Sequence, residues 1–274
     1  METLQIVIQA IVQGLTEFLP VSSSGHLIAL ETFFIPDPAA ATTMTEPTVA
    51  LHAGTLLAVL LVFWKSLVEL CGHRRRLVIP LVVATIPAAC VGLLIVISGL
   101  DELLTDPRLT GAMLVVTGFV LWMGEPSVAS GYETANIETL SNRQALWIGI
   151  AQAFAIVPGL SRSGLTIVVA RRIGLPGQQA AQFSFLMSIP VIAGAVVVLL
   201  CKQLLSSEIA AATNIAWDVI GLGIAVSAVV GYGALKCLLL LLEKGRFHWF
   251  TFWCIPLGVF LLVFATQVER SING

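Results

Sequence analysis

The sequence predicts an all-α polytopic membrane protein, with six transmembrane helices and two re-entrant helix hairpins arranged as an inverted-topology repeat. Three observations lead there. Of 274 residues, 57% are hydrophobic and 11% charged, with a mean hydropathy of +0.96; a soluble domain carries roughly 25% charged residues. Apolar runs of about 20 residues recur from end to end, each long enough to cross a hydrocarbon core of roughly 30 Å. Finally, QGLTEFLPVSSSGHL at 13–27 has an echo in QAFAIVPGLSRSGLT at 152–166. A shift of 139 residues lays Gln13 on Gln152, Ser22 on Ser161, Ser24 on Ser163 and Gly25 on Gly164.

Taken in order, residues 4–19 form an apolar helix that Pro20 stops before it can span, and a second short segment covers about 25–34. Two half-length helices joined by a tight break read as a re-entrant hairpin, because non-helical backbone at membrane depth survives only where protein or a watery cavity satisfies it. Spans are expected at about 49–70, 78–99 and 108–124, then an aqueous loop at 125–142. The second hairpin follows at about 143–157 and 163–173, broken at Pro158-Gly159, with further spans at about 178–201, 217–240 and 250–268. Pro87, Pro190 and Pro256 fall inside spans, where neighbouring helices can satisfy the freed carbonyls. The whole reads as one domain, with repeat one at about 1–124 and repeat two at about 125–274.

Charge sets the orientation. One set of alternating loops holds Lys65, Arg74, Arg75, Arg76, Arg143, Arg162, Arg171, Arg172, Lys236, Lys244 and Arg246, eleven of the fourteen Lys and Arg. Arg108, Lys202 and Arg270 make up the other set. The positive-inside rule puts the rich set in the cytoplasm and both termini outside. Three spans lie between the hairpins, so the second copy is inverted. In that arrangement broken helices meet near the midplane with their N-terminal ends facing an anion.

Other classes fall away. A net charge of −2 with no basic tract gives nucleic acid no footing. Cys71, Cys90, Cys201, Cys237 and Cys254 are isolated, without metal-ligand spacing, and read as small buried hydrophobes. The opening METLQIVIQAIVQG lacks the positive n-region of a signal peptide, so it is expected to stay in the mature protein.

The candidate site follows from the repeat. Ser22, Ser23 and Ser24 precede a helix expected near Gly25, and Ser161, Arg162 and Ser163 precede one near Gly164. Serine caps helix N-termini, whose first N–H groups have no intrahelical acceptor and attract anions. Two such ends with hydroxyls and a guanidinium suit a phosphate, and the glycines allow close backbone approach. Gln13 and Glu17, four apart, share a helix face, and His26 lies one turn from the serines. Glu17 either coordinates a divalent cation (Mg²⁺ or Ca²⁺) or pairs with His26 or Arg162 in an acid–base relay. A charge near the bilayer centre costs at least about 2.5 kcal/mol, so a functional reading is the default there. His52 in LHAG reads instead as a packed, satisfied residue, and Arg74, Arg75 and Arg76 as a topology signal only.

At these motifs the chain closely resembles the undecaprenyl-diphosphate phosphatases, the bacitracin-resistance family of bacterial membrane phosphatases. QGLTEFLPVSSSGHL matches the family's first signature and PGLSRSGLT at 158–166 its second; AAQFSFLMSIP at 180–190 and the LHAG stretch at 51–54 are similar too. The resemblance covers essentially the whole chain. It implies removal of the terminal phosphate from a C55 polyprenyl diphosphate in the cytoplasmic (inner) membrane, giving the monophosphate that carries cell-wall precursors. It places the site on Gln13, Glu17, Ser22, Ser23, Ser24, His26, Ser161, Arg162, Ser163 and Thr166. Gln13 stands where many members have Glu, and Ser24 where many have Thr.

The expected chemistry is phosphoryl transfer, with Arg162 stabilising charge. The nucleophile is Ser23 with His26 as base, His26 itself, or water directed by His26 and Glu17. The expected partners are the polyprenyl diphosphate and membrane lipids, and a homodimer is compatible with the sequence. The rival reading is a transporter or flippase of polyprenyl phosphate, since inverted repeats with broken helices are also carrier architecture.

Overall fold

The computed structural model describes residues 2–34, 45–99, 104, 106–124, 135–205 and 217–273. The described residues form helices and turns, with no strand among them. In chain order the helices are α1 (Glu2–Phe18), α2 (Ser23–Phe34), α3 (Thr45–Val62), α4 (Trp64–Leu70), α5 (Val78–Ser98) and α6 (Pro107–Met123). After them come α7 (Asn142–Phe154), α8 (Arg162–Arg172), α9 (Gly177–Leu205), α10 (Trp217–Glu243) and α11 (Thr251–Asn273). Residues 35–44 and most of the expected loop at 125–142 lie outside the described residues.

A short helix forms on each side of both expected breaks, α1 and α2 around the first and α7 and α8 around the second. Their second helices begin two residues early, at Ser23 and Arg162 rather than near the glycines. The cap explains this shift. Ser161 accepts Gly164 N–H and Ser22 accepts Gly25 N–H, so each glycine is already the third helical residue. Elsewhere local signals set the starts: Asp106 caps α6 with Pro107 behind it, and Ser141 and Gln144 close a capping box on α7.

Among the described residues, four helices are long and apolar enough to cross a membrane: Arg75–Ser98, Gly177–Val197, Asp218–Glu243 and Phe247–Ala265. A fifth is counted if Ala50–Val62 and Trp64–Leu70, bent by 72°, act as one span; Pro107–Met123 is apolar but shorter. The chain is therefore a multi-pass membrane protein of four to five candidate spans. Its outer surface agrees, with Ile79, Val82, Ile86, Leu93, Leu94 and Ile97 of α5 and Phe252, Phe260 and Val263 of α11 all exposed. Such a surface suits lipid and would be a liability in water.

Packing holds the two hairpins together at the centre. Half-helix α1 lies against α10 and α3, α7 lies against α5, and α6 runs along α11. The α6–α11 contact is a glycine crossing: a Cβ on Gly258 would sit 2.6 Å from Gly111 O, and one on Gly111 would sit 2.8 Å from Gly258 O. Small residues let membrane helices approach this closely, where van der Waals packing and not water exclusion drives association. An aromatic core of Phe18, Phe63 and Phe185 fills the space below the hairpin breaks, with Phe18 edge-on to Phe185 at 5.6 Å. Cys254 is buried as expected. Cys71, Cys90 and Cys237 instead lie on the exposed surface, where apolar lipid tolerates a thiol that a soluble fold would bury. Arg74 does more than mark topology: it bridges Glu69 at 3.0 Å and Glu138 at 2.9 Å.

Candidate active site

Both helix breaks have their backbone groups satisfied by protein. Ser163 Oγ donates to Leu19 O at 3.3 Å and Cys254 Sγ to Pro20 O at 3.5 Å. In the second break Thr117 Oγ1 donates to Gly159 O at 2.8 Å and accepts Ser161 N–H at 3.1 Å. Gly159 N–H donates to Ser22 Oγ at 3.2 Å, which latches one break to the other. Gly159 has φ +91°, and a Cβ there would lie 2.2 Å from Thr110 O, so only glycine fits.

Between the breaks is a small open pocket, lined on one side by Thr16, Glu17, Ser22, Ser23 and Ser24 and on the other by Ala155, Leu160, Ser161 and Arg162. Glu17 is its hub. Arg162 Nη2 donates to Glu17 Oε1 at 2.7 Å, Ser23 Oγ donates to Oε2 at 2.8 Å and Gln13 Nε2 to Oε2 at 3.0 Å. His52 Nε2 stands 3.9 Å from the same Oε2. Thus one buried carboxylate joins residues 145 positions apart in sequence. Removing one partner of such a pair strands a charge, which costs about 3–5 kcal/mol. Phe185 backs the guanidinium, its ring centroid 5.7 Å from Arg162 Cζ. Arg162 Nη1 is buried and has no hydrogen-bond partner among the described residues. That donor, beside the first turns of α2 and α8, suits an anionic oxygen in the pocket.

Of the residues expected from sequence, Glu17, Ser22, Ser23, Ser24, Ser161 and Arg162 line this pocket. Gln13 stands behind Glu17, fully buried, as its donor. Ser163 is spent between Leu19 O and Ser161 Oγ. Thr166 is buried away from the pocket: its hydroxyl donates to Arg162 O at 2.7 Å and meets Ser184 Oγ at 2.6 Å, anchoring α8 to α9. Gly25 and Gly164 give their N–H groups to the caps, and a Cβ on either would press on its cap serine, at 3.2 Å from Ser22 Oγ for Gly25 and 3.1 Å from Ser161 Cβ for Gly164.

His26 departs furthest from expectation. It makes no bond to Ser23. Its Nδ1 is 2.8 Å from Ser22 O, and its Nε2 accepts from Trp253 Nε1 at 2.8 Å. The helix start turns positions 23 and 26 toward different neighbours. Ser23 points down to α1, and His26 points out to α11. Sequence reasoning also missed His52 as a neighbour of Glu17, Phe185 behind Arg162, and Trp253. LHAG and AAQFSFLMSIP flagged the first two regions; nothing in the sequence marks Trp253.

A resident divalent cation does not fit the donor set. Glu17 is the one acidic side chain lining the pocket, and both its oxygens are engaged by donors. The described residues hold no group of three or more His, Cys, Asp or Glu that could bind a metal. Ca²⁺ takes about six to eight oxygen ligands, and Mg²⁺ is usually held by one or two carboxylates together with substrate phosphates, so these donors leave a cation to arrive with an anionic ligand.

Comparison with known proteins places this geometry in a family. The family model for bacitracin resistance protein BacA matches residues 6–260. The undecaprenyl-diphosphatase of Rhodopirellula baltica is 42% identical over 263 residues, covering 96% of this chain and 98% of that protein. The undecaprenyl-diphosphatases of Desulfosudis oleivorans and Halothermothrix orenii are 39% and 37% identical. These alignments cover 94% and 97% of this chain and 97% and 99% of those proteins.

Proposed function

We propose, from the premise that this chain belongs to the bacitracin resistance protein BacA family, that it hydrolyses undecaprenyl diphosphate to the monophosphate and inorganic phosphate, recycling a lipid carrier. The observation that carries the reading is Glu17, bound at once by Ser23 of one hairpin and Arg162 of the other at the edge of a shared pocket. The pocket is small and lined by hydroxyls, one carboxylate and one guanidinium. It suits a diphosphate headgroup, leaving the polyprenyl chain among lipid.

In this reading the terminal phosphate lies against Arg162 Nη1 and the first turns of α2 and α8. Ser23 Oγ attacks phosphorus as its proton passes to Glu17 Oε2, the phosphoanhydride bond to the inner phosphate breaks, and the lipid monophosphate leaves with the electron pair. Water then cleaves the phosphoserine, and Ser23 recovers its proton. Glu17, not His26, is the base, because the hydroxyl already points to it. Arg162 and the helix ends neutralise charge on the equatorial oxygens. Mg²⁺ or Ca²⁺ enters only as a companion of the diphosphate.

The finer topology belongs to the same proposal: six spans and two re-entrant pairs, inverted between 1–124 and 125–274, in the bacterial inner membrane with both termini outside. The exchange of partners supports it. The leading half-helix of each half packs on the penultimate long helix of the other, α1 on α10 and α7 on α5.

Phosphate release from a long-chain polyprenyl diphosphate by purified protein, with and without chelator, tests the activity. Acid-quenched turnover should trap phosphate on Ser23 and none in Ser23→Ala. Oxygen-isotope exchange showing direct water attack, with no phosphoserine under any quench, would remove the serine route.

A further inference from the structure

Trp253, on the last helix, reaches the first hairpin across 227 residues of chain, its ring within 5° of parallel to His26. An indole N–H can only donate. His26 Nε2 is therefore the acceptor, which assigns the ring proton to Nδ1. That proton points at Ser22 O, 2.8 Å away. Ser22 is the one non-glycine with positive φ among the described residues, at 67°. Residues with side chains keep that conformation only where their surroundings hold them in it. Here the carbonyl is held twice by His26, at 2.8 Å from ring Nδ1 and at 3.2 Å from the backbone N–H, and the hydroxyl accepts Gly25 N–H and Gly159 N–H. The next residue is Ser23, aimed at Glu17. A continuous set of hydrogen bonds therefore runs from Trp253 through His26 and Ser22 to the turn that orients the nucleophile.

We propose that Trp253 is a positioning residue for the site: by donating to His26 Nε2 it fixes the Nδ1–H tautomer, whose one donor holds the left-handed Ser22 from which Ser23 is aimed at Glu17. The indole is 57% exposed on the outside of the bundle, yet its N–H turns inward. Hydrocarbon offers that N–H no other acceptor, so the bond persists in a membrane. His26 acts here as a fixed donor to the turn and not as the base for Ser23. The catalytic consequence rests on the phosphatase reading above; the tautomer does not.

The test uses full-length protein in detergent, ¹⁵N-labelled at its four histidines, comparing wild type with W253F, H26N, H26Q and H26A. The wild-type His26 signal, assigned by its loss in H26A, should show the Nδ1–H tautomer, and W253F should move it toward Nε2–H. W253F should also lower kcat by about tenfold with KM little changed. Asn carries an amide nitrogen where Nδ1 stands, so H26N should keep the donor and hold activity within about tenfold of wild type. Gln, which matches Nε2, should fall with H26A. An Nε2–H signal in wild type, no tautomer change in W253F, or H26N as inactive as H26A would each overturn the proposal. Wild type that releases no phosphate yet shows the Nδ1–H signal and its shift in W253F would overturn the phosphatase reading and leave the relay standing.

Discussion

The two helix breaks come from matching stretches of sequence and do different work. At the first, Ser22 caps α2 from a left-handed backbone (φ 67°), and the residues around it bring a carboxylate, its Gln13 donor and Ser23. At the second, Ser161 caps α8 from ordinary extended backbone (φ −80°, ψ 115°), and glycine at 159 takes the positive φ instead. Superposing the copies puts Ile156 where Glu17 stands and Arg162 where Ser23 stands. Gln13 donates to Glu17, while neither amide atom of its counterpart Gln152 has a partner among the described residues. A repeated backbone frame therefore carries a carboxylate and the hydroxyl bonded to it in one copy and a guanidinium in the other. The proposed phosphoryl transfer uses both kinds of group, and a symmetric pair of identical copies would supply only one.

Substitutions that equalise the copies test this division. Glu17→Gln keeps the shape and removes the proton acceptor, so kcat should fall about 10³-fold, within the span for a general base. Phosphate release within tenfold of wild type would show that Glu17 is structural. Arg162→Lys keeps the charge and loses the planar fork that can hold Glu17 on one nitrogen and phosphate on the other. Its loss should be well over tenfold, on the order of 2 kcal/mol of transition-state stabilisation, and near-wild-type turnover would end the two-handed role. The smallest effects separate the glutamines. Gln13→Leu should lower activity several-fold by taking a donor from Glu17. Gln152→Leu should leave turnover unchanged and raise unfolding stability in detergent by about 1 kcal/mol, since it removes a buried amide that nothing satisfies. Gln152→Leu harming turnover as much as Gln13→Leu would mean the copies are chemically equivalent after all.

Much of the fold was legible because hydropathy and helix caps are local. The runs at 78–99, 178–201, 217–240 and 250–268 became α5, α9, α10 and α11 with shifted ends. The 49–70 run was expected as one span. It turns by 72° between α3 and α4, where buried Phe63 packs against Phe185, a contact that residues 49–70 alone do not reveal. In the site, Glu17 and Arg162 stood out because charge in an apolar run is costly wherever it ends up. His26 stood out for the same reason, but its partner did not, because Trp253 is in sequence one more aromatic in an apolar helix.

The sequence by itself determined that this chain lives in lipid, that it breaks twice in matching places, and that serines, one acid and one guanidinium sit at those breaks. These follow from composition, from proline and glycine, and from cap chemistry, all properties of neighbouring residues. Only the tertiary structure decided which groups meet: Arg162 with Glu17 across 145 residues and Trp253 with His26 across 227. A hydrogen bond needs its two atoms within about 3 Å and aligned. That distance is set by how α1, α8 and α11 pack and not by any spacing along the chain.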